Sequence, residues 1–375
     1  MKIAHVVPTL HPNGPEIGLV DLASAAGEAG LELVVMALAA TSDTTHVGPL
    51  RRLGVPVVEL GLARWDPRSV ARTAAQLRAH GAQLVHTHLP PADVVGAAAA
   101  VRNRIPAVST LHRIENLPAD RGDRLKRTAR IIARRQFMAR TIAISQVQLE
   151  WYRGITGSGR NLVVVPNGVA DPGVAGPATR RARRAALDVA DHEVLVVSSA
   201  PMRRGEGHEL LLDAVEALPD KLPLAVALAG DGPLRPWLEA RVDRNDDLSG
   251  RVRFVHRHQD PTGLLAAADI VVHTARSGAA PTALLRAMAA GVPVVATRVG
   301  GIPEIVTPTT GVLVPLSAPA LVDALVGLTD DDERRARMAA GARARFLAEY
   351  DAAGWARRLR AVYDDVLEPR LNPGA

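Results

Sequence analysis

The 375-residue chain contains no cysteine, which excludes disulfides, thiolate metal centres and cysteine nucleophiles. Aromatic residues supply 3% of it against 47% hydrophobic residues overall. The core must therefore be filled by Val, Leu, Ile and Ala, which suits parallel strands buried on both faces beneath alanine-rich helices. Lysine is almost missing: Lys2, Lys126 and Lys221 stand alone, so arginine carries the formal net charge of +6. No apolar run reaches the ~18 residues of a membrane span, and the alanine patch Ala97–Val101 falls far short. A strand begins directly after Lys2, with no apolar leader or cleavage signal, so a cytoplasmic location is expected.

The arginines gather in Arg121–Arg140 and Arg180–Arg184. Without interleaved aromatics they make no stacking surface, and a nucleic-acid partner is not expected. Solvated helix faces are one explanation. The other is a peripheral contact of Arg121–Arg140 with an anionic membrane surface, from the cytoplasmic side.

Along the chain, short β-rich runs alternate with helical stretches. Lys2–Pro8, Leu31–Leu38, Val55–Leu60, Leu84–Thr87, Ala107–Leu111, Thr141–Ile144 and Leu162–Val165 read as strands, with helices between them as at Ile17–Ala29 and Pro67–His80. The Pro, Gly and Ala-rich stretch Asp171–Thr179 reads as a linker. A second set follows at Val194–Ser198, Leu224–Ala229, Val252–Val255, Ile270–His273, Val292–Ala296 and Gly311–Val314. The expectation is α/β: two Rossmann-like, doubly wound domains facing a central cleft, where ligands meet the carboxyl ends of the strands. The expected division is 1–170, 171–355 and a final helix 356–375 returning to the first domain. The helical stretch from Asp332 to Leu367 is broken at Asp351–Gly354.

Three segments carry chemistry. His11-Pro12-Asn13-Gly14-Pro15-Glu16 feeds a helix N-terminus, whose free amides suit an anion. Ala229-Gly230-Asp231-Gly232-Pro233 turns from a strand into a helix that Asp231 is placed to cap. Pro281-Thr282 opens a helix before Gly291-Val-Pro-Val-Val-Ala-Thr-Arg-Val-Gly300-Gly301-Ile-Pro-Glu304, putting a hydroxyl beside free amides in the way a phosphate requires. His86 and His88 share one face of a strand in the manner of a metal pair, but no third ligand is evident, so no metal is expected.

Val163-Val-Val-Pro-Asn167-Gly168-Val169, Ala229-Gly230-Asp231-Gly-Pro-Leu-Arg235, Ala287-Met-Ala-Ala-Gly291-Val-Pro-Val-Val-Ala296, Val299-Gly-Gly-Ile-Pro-Glu304 and Gly311-Val-Leu-Val-Pro315 occur in this order. As a set they resemble glycosyltransferase family 4, the retaining glycosyl transferases group 1 of GT-B fold. Gly14-Pro-Glu16 resembles that family's Gly-Gly-Ala-Glu loop, Val85-His-Thr-His88 its His-bearing strand end, and Ser109-Thr-Leu-His112 its acceptor-side histidine. The resemblance implies a nucleoside-diphosphate sugar as donor substrate, no cofactor and no metal. It implies a sugar, lipid-linked or small-molecule acceptor, and transfer with retention. It carries His112 over as the catalytic histidine, with Glu16 and His88 on the acceptor side. Gly14, Asn167, Gly207, Gly230, Asp231, Gly278, Pro281 and Thr282 fall to the donor.

The donor site departs from the family at its charges. Gly207-His-Glu-Leu-Leu-Leu-Asp-Ala214 matches the family's helix opening, which sets Pro201 at the usual Arg position and Glu206 at the usual Lys position, with Arg203 and Arg204 the nearest cations. Gly278 and Arg286 occupy the positions of the family's two glutamates. Reversing charges beside a diphosphate matters, since a unit-charge contact at 4 Å is worth about 4 kcal/mol at an effective dielectric near 20. Two readings stand. Either Arg203, Arg204 and Arg286 rebuild an active donor site, or Glu206 pairs with Arg286 and fills it, leaving a weak or inactive relative that acts as a binding or scaffold partner.

Overall fold

The computed structural model describes residues 1–11, 14–40, 47–63, 66–114, 120–255 and 261–371. The chain divides into two compact units, Met1–Ala170 together with the stretch from Ala352 onward, and Asp171–Asp351.

The first unit holds seven strands: β1 Lys2–Val7, β2 Glu32–Ala37, β3 Val57–Glu59, β4 Leu84–His88, β5 Ala107–Thr110, β6 Arg140–Ala143 and β7 Leu162–Val164. All pair in parallel, in the order β3-β2-β1-β4-β5-β6-β7. The second unit holds six: β8 Val194–Ser199, β9 Leu224–Ala229, β10 Val252–Val255, β11 Ile270–His273, β12 Val294–Thr297 and β13 Gly311–Val314. These are parallel in the order β10-β9-β8-β11-β12-β13. Near-continuous apolar runs such as Leu195–Val197 and Leu224–Leu228 are buried throughout, as two-sided burial beneath helices demands. Each sheet is doubly wound. Its order reverses between β1 and β4 in the first and between β8 and β11 in the second, and at such switch points the strand-end loops part.

The long carboxy-terminal helical stretch is three pieces: Asp332–Arg345, a π-helical turn Phe346–Tyr350, and Ala352–Leu371, with Asp351 extended between the last two. On the last helix Ala352, Trp355, Ala356, Leu359, Tyr363 and Val366 form one stripe. That stripe is buried in the same cluster as Leu19 and Leu22 of the helix Gly14–Ala26. Each large apolar side chain so buried stabilises by about 1.5–3 kcal/mol.

Candidate functional site

In the first unit, the switch point is lined with imidazoles. His5 of β1 is in register with His86 of β4, and His88 of β4 with Thr110 of β5. Side chains two apart on a strand share a face, so His86 and His88 stack at 4.3 Å between ring centroids, with His5 at 4.9 Å from His86. His5 Nδ1 lies 2.9 Å from His88 Nε2, and His88 Nδ1 lies 2.9 Å from His112 Nε2. His86 bridges the Tyr363 hydroxyl and the Thr110 hydroxyl, each at 2.7 Å. Burial drives all four imidazoles below the usual histidine range, aided by their neighbours: His88 beside His5, and Arg134 and Arg113 beside His112, which falls to about 3. All four are neutral at physiological pH.

The expectation that His86 and His88 lack a third metal-ligand partner is corrected here. His5 supplies it, and ligand atoms of the three lie within 4.8 Å of one another. The sequence hid this because His5 joins the pair only through strand register. Five of the six ring nitrogens of this trio are already engaged in the hydrogen bonds above. His5 Nε2 alone is buried without a partner.

Glu16, in the first turn of Gly14–Ala26, is buried. Burial raises its carboxyl to about 7, against a backbone hydrogen bond and the nearby Arg113 charge. Gly14 opens that helix, while Pro12 and Asn13 of the expected anion loop lie outside the described residues. Next to the histidines, Asp93 is buried and accepts from Thr87 and Ser109 at 2.7 and 2.8 Å and from Arg134 at 2.7 Å. This network ties the helix Ala92–Asn103 to Arg121–Phe137. The latter exposes Leu125, Ile132 and Phe137 among exposed Arg124, Lys126 and Arg135. Asn167 follows β7 in the same unit, half-buried.

In the second unit, four loops at strand carboxyl ends pack together. After β8, Met202 N–H donates to Asp231 C=O at 3.0 Å in the loop after β9. Gly207, at φ +80°, lies against Thr274 after β11, and a Cβ there would sit 1.8 Å from the Thr274 carbonyl oxygen. Gly300 after β12, at φ +53°, would likewise drive a Cβ to 1.9 Å from the Gly278 carbonyl oxygen, and that carbonyl accepts from Gly301 N–H at 3.0 Å. Only glycine meets both demands at either position. Gly230, named from sequence for the donor, would likewise drive a Cβ to 2.1 Å from the Ala200 carbonyl oxygen, and Gly278 supplies the carbonyl that Gly300 and Gly301 approach. Asp231 does not cap the following helix, Arg235–Asp243, which has no side-chain cap; its carboxylate accepts from Arg235 at 3.1 Å. Pro281 is the N-cap of Thr282–Ala289, Thr282 its first residue, and Arg286 lies half-buried one turn on.

The charges arrange themselves differently from either expectation. Glu206 takes Arg203 as its partner, at 2.8 Å, and not Arg286. Arg204 lines a shallow depression of about 470 Å³ with Gly205, Glu209, Leu234, Trp237 and Arg276. Among the described residues neither Arg204 nor Arg276 has an ion-pair partner. Sequence comparison with the family's motifs missed Arg276. The available signal was its position at the carboxyl end of β11, two residues before Gly278. His208 and His273 lie buried beneath this loop with unpartnered ring nitrogens. Burial lowers both, His273 to about 4, although the Glu206 charge opposes this.

Residues 12–171 match the family model Glycosyltransferase Family 4 and residues 191–331 match Glycosyl transferases group 1. A D-inositol 3-phosphate glycosyltransferase of Xylanimonas cellulosilytica is 30% identical over 92% of this chain and 91% of its own. A GDP-mannose-dependent monoacylated alpha-(1-6)-phosphatidylinositol monomannoside mannosyltransferase of Corynebacterium glutamicum is 33% identical, over 60% of this chain and 62% of that one. Among solved structures, Anabaena HepE in complex with UDP matches with a TM-score of 0.84, 23% identity, and 97% and 100% of the two chains covered. A Rickettsia africae glycosyltransferase matches with 0.83, 19% identity, and 98% of each chain. The two Rossmann-like units therefore have the GT-B fold. With the linked motifs, the two family matches and the near-full-length relative, the chain belongs to glycosyltransferase family 4.

Proposed function

We propose that this glycosyltransferase moves a sugar from a nucleoside-diphosphate sugar to an acceptor hydroxyl with retention, holding the donor diphosphate at the strand-end loops of the second unit. The observation that carries this is the pair of guanidiniums, Arg204 and Arg276, left without ion-pair partners among the described residues beside the Gly205–Gly207 turn. Exposed arginines meeting at the mouth of a doubly wound sheet suit a diphosphate, which their planar forks bind in bidentate fashion. Asn167, Thr282 and Arg286 remain candidates for further donor contacts. In the first unit, His112 meets the transferred sugar or acceptor, with His88 behind it and Glu16 a further acceptor-side candidate.

The relatives supply the ligands to try. HepE is described with UDP and with UDP-glucose, and the corynebacterial mannosyltransferase with GDP-mannose. The inositol-phosphate glycosyltransferases add phosphorylated polyols to the acceptors. The face of Arg121–Phe137, with apolar side chains among cations, supports a peripheral contact with an anionic membrane on which a lipid-linked acceptor resides. No helix among the described residues is long and apolar enough to cross a membrane.

Calorimetric titration with UDP, GDP, UDP-glucose and GDP-mannose tests the donor site, and anomeric coupling constants of the product test retention. Absence of binding by all four at millimolar concentration would sink the reading. The Arg203–Glu206 pair favours a second one, a weak or inactive relative serving as a partner protein, because it withdraws one cation from a site already short of them. Product formation by the purified chain alone rules that out.

A further inference from the structure

We propose that His5 and His88 are positioning residues that hold His112 in its Nδ1–H tautomer, so that His112 offers its ligand a hydrogen-bond donor and not a base. The part of this that concerns a ligand rests on His112 meeting the sugar or acceptor. The line of imidazoles does not.

The three rings are joined in series, His5 Nδ1 to His88 Nε2 and His88 Nδ1 to His112 Nε2, each at 2.9 Å. A neutral imidazole has one N–H and one lone pair, and burial keeps all three neutral. His88, in the middle, has a single proton to share between two hydrogen bonds. Only two arrangements satisfy both bonds, and they are concerted. In the outward one, His5 Nδ1–H donates to His88 Nε2, His88 Nδ1–H donates to His112 Nε2, and the proton of His112 is on Nδ1. In the inward one, His112 Nε2–H donates to His88 Nδ1 and His88 Nε2–H donates to His5 Nδ1. The last proton then sits on His5 Nε2.

The two ends of the line are not equivalent. His112 is only partly buried, and its Nδ1 is not among the buried ring nitrogens left without a partner. His5 has no exposed surface, and its Nε2 is buried without a partner. The inward arrangement strands an N–H there, whereas the outward one strands a lone pair. Among buried backbone groups an orphaned N–H is rarer than an under-satisfied acceptor; extended to the ring nitrogen of His5, the same preference favours the lone pair. The buried end therefore sets the direction, and the effect appears at the exposed end. For His112 to accept a proton at Nδ1 the whole line would have to reverse, which suits it to grip a hydroxyl or phosphate oxygen and not to abstract a proton.

The experiment is long-range 1H–15N correlation on the full-length protein labelled with 15N-histidine, which separates Nδ1–H from Nε2–H tautomers. His112→Gln and His5→Asn assign the signals. At pH 7.5, His5, His88 and His112 are all expected in the Nδ1–H form; an Nε2–H signal from His112 or His88 overturns the proposal. The wild-type spectrum decides this by itself, so a variant that fails to fold leaves the test intact. His88→Phe cuts the line, and the Nε2–H form of His112 should then appear; an unchanged tautomer would show that His88 does not impose it. Adding UDP-glucose to the wild type separates the two parts. Outward tautomers with a shift of the His112 Nδ1 resonance support both. Outward tautomers with no shift at saturating ligand retain the line and overturn the contact with that donor.

Discussion

Acidification from pH 8 to pH 5 should destabilise the first unit by a calculable amount. His5, His86, His88 and His112 are all held below their ordinary range by burial. In the unfolded chain each titrates near 6.5. Their contribution is thus complete above pH 6.5 and is lost as the pH falls, because the unfolded chain takes up protons that the folded one refuses. For His112, held at about 3, the loss at pH 5 is about 2 kcal/mol, and each of the other three adds up to as much again. Glu16 works in the opposite sense. Its carboxyl is raised to about 7, so the folded state gains roughly 2 kcal/mol between pH 8 and pH 5. The net loss, up to about 6 kcal/mol, is a large share of a domain's usual 5–15 kcal/mol. Urea unfolding at each pH measures it, followed by tryptophan fluorescence, in which buried Trp355 reports on the first unit and exposed Trp237 on the second. Glu16→Gln should steepen the loss by about 2 kcal/mol. A first unit as stable at pH 5 as at pH 8, within about 1 kcal/mol, would refute the burial of neutral imidazoles on which the argument rests.

Other perturbations have equally definite outcomes. Arg204→Ala and Arg276→Ala should each weaken UDP binding on the order of tenfold or more, the worth of a charge-assisted hydrogen bond, with thermal stability unchanged. Glu206→Gln should strengthen UDP binding by releasing Arg203; unaltered affinity in titration calorimetry would place that pair outside the site. Gly207→Ala, with no room for a Cβ beside Thr274, should abolish nucleotide binding and lower the unfolding midpoint of the second unit. Asp93→Asn breaks the buried Arg134–Asp93 pair and should cost on the order of 3 kcal/mol, read from the urea midpoint of the first unit.

The strands were legible because two-sided burial writes itself as unbroken Val, Leu, Ile and Ala runs; Leu224–Ala229 and Ile270–His273 are the same in sequence and structure. The glycine-bearing loops were legible too, since close approach of backbones at Gly207 and Gly300 leaves no other residue a place. The partners of charged and polar side chains were not. His5 joins His88 through strand register, which no local pattern records. Glu206 chose a cation three residues away over the family-derived Arg286, because a turn brings i and i+3 together at little entropic cost. Arg276 stands where the family motif marks nothing, and only the strand end gives it a role.

The last helix also bears on how the polypeptide is made. The second unit is one continuous segment, Asp171–Asp351, but the first is completed by Ala352 onward, whose Tyr363 closes the hydrogen bond to His86. At about 5–20 residues per second of synthesis, the ribosome needs on the order of 10–40 s to traverse the intervening segment. Throughout that interval Leu19, Leu22 and the imidazole array lack their cover. The amino-terminal sheet is thus the first to be synthesised and the last to be sealed, and a nascent chain halted before Ala352 would expose an apolar face that chaperones recognise.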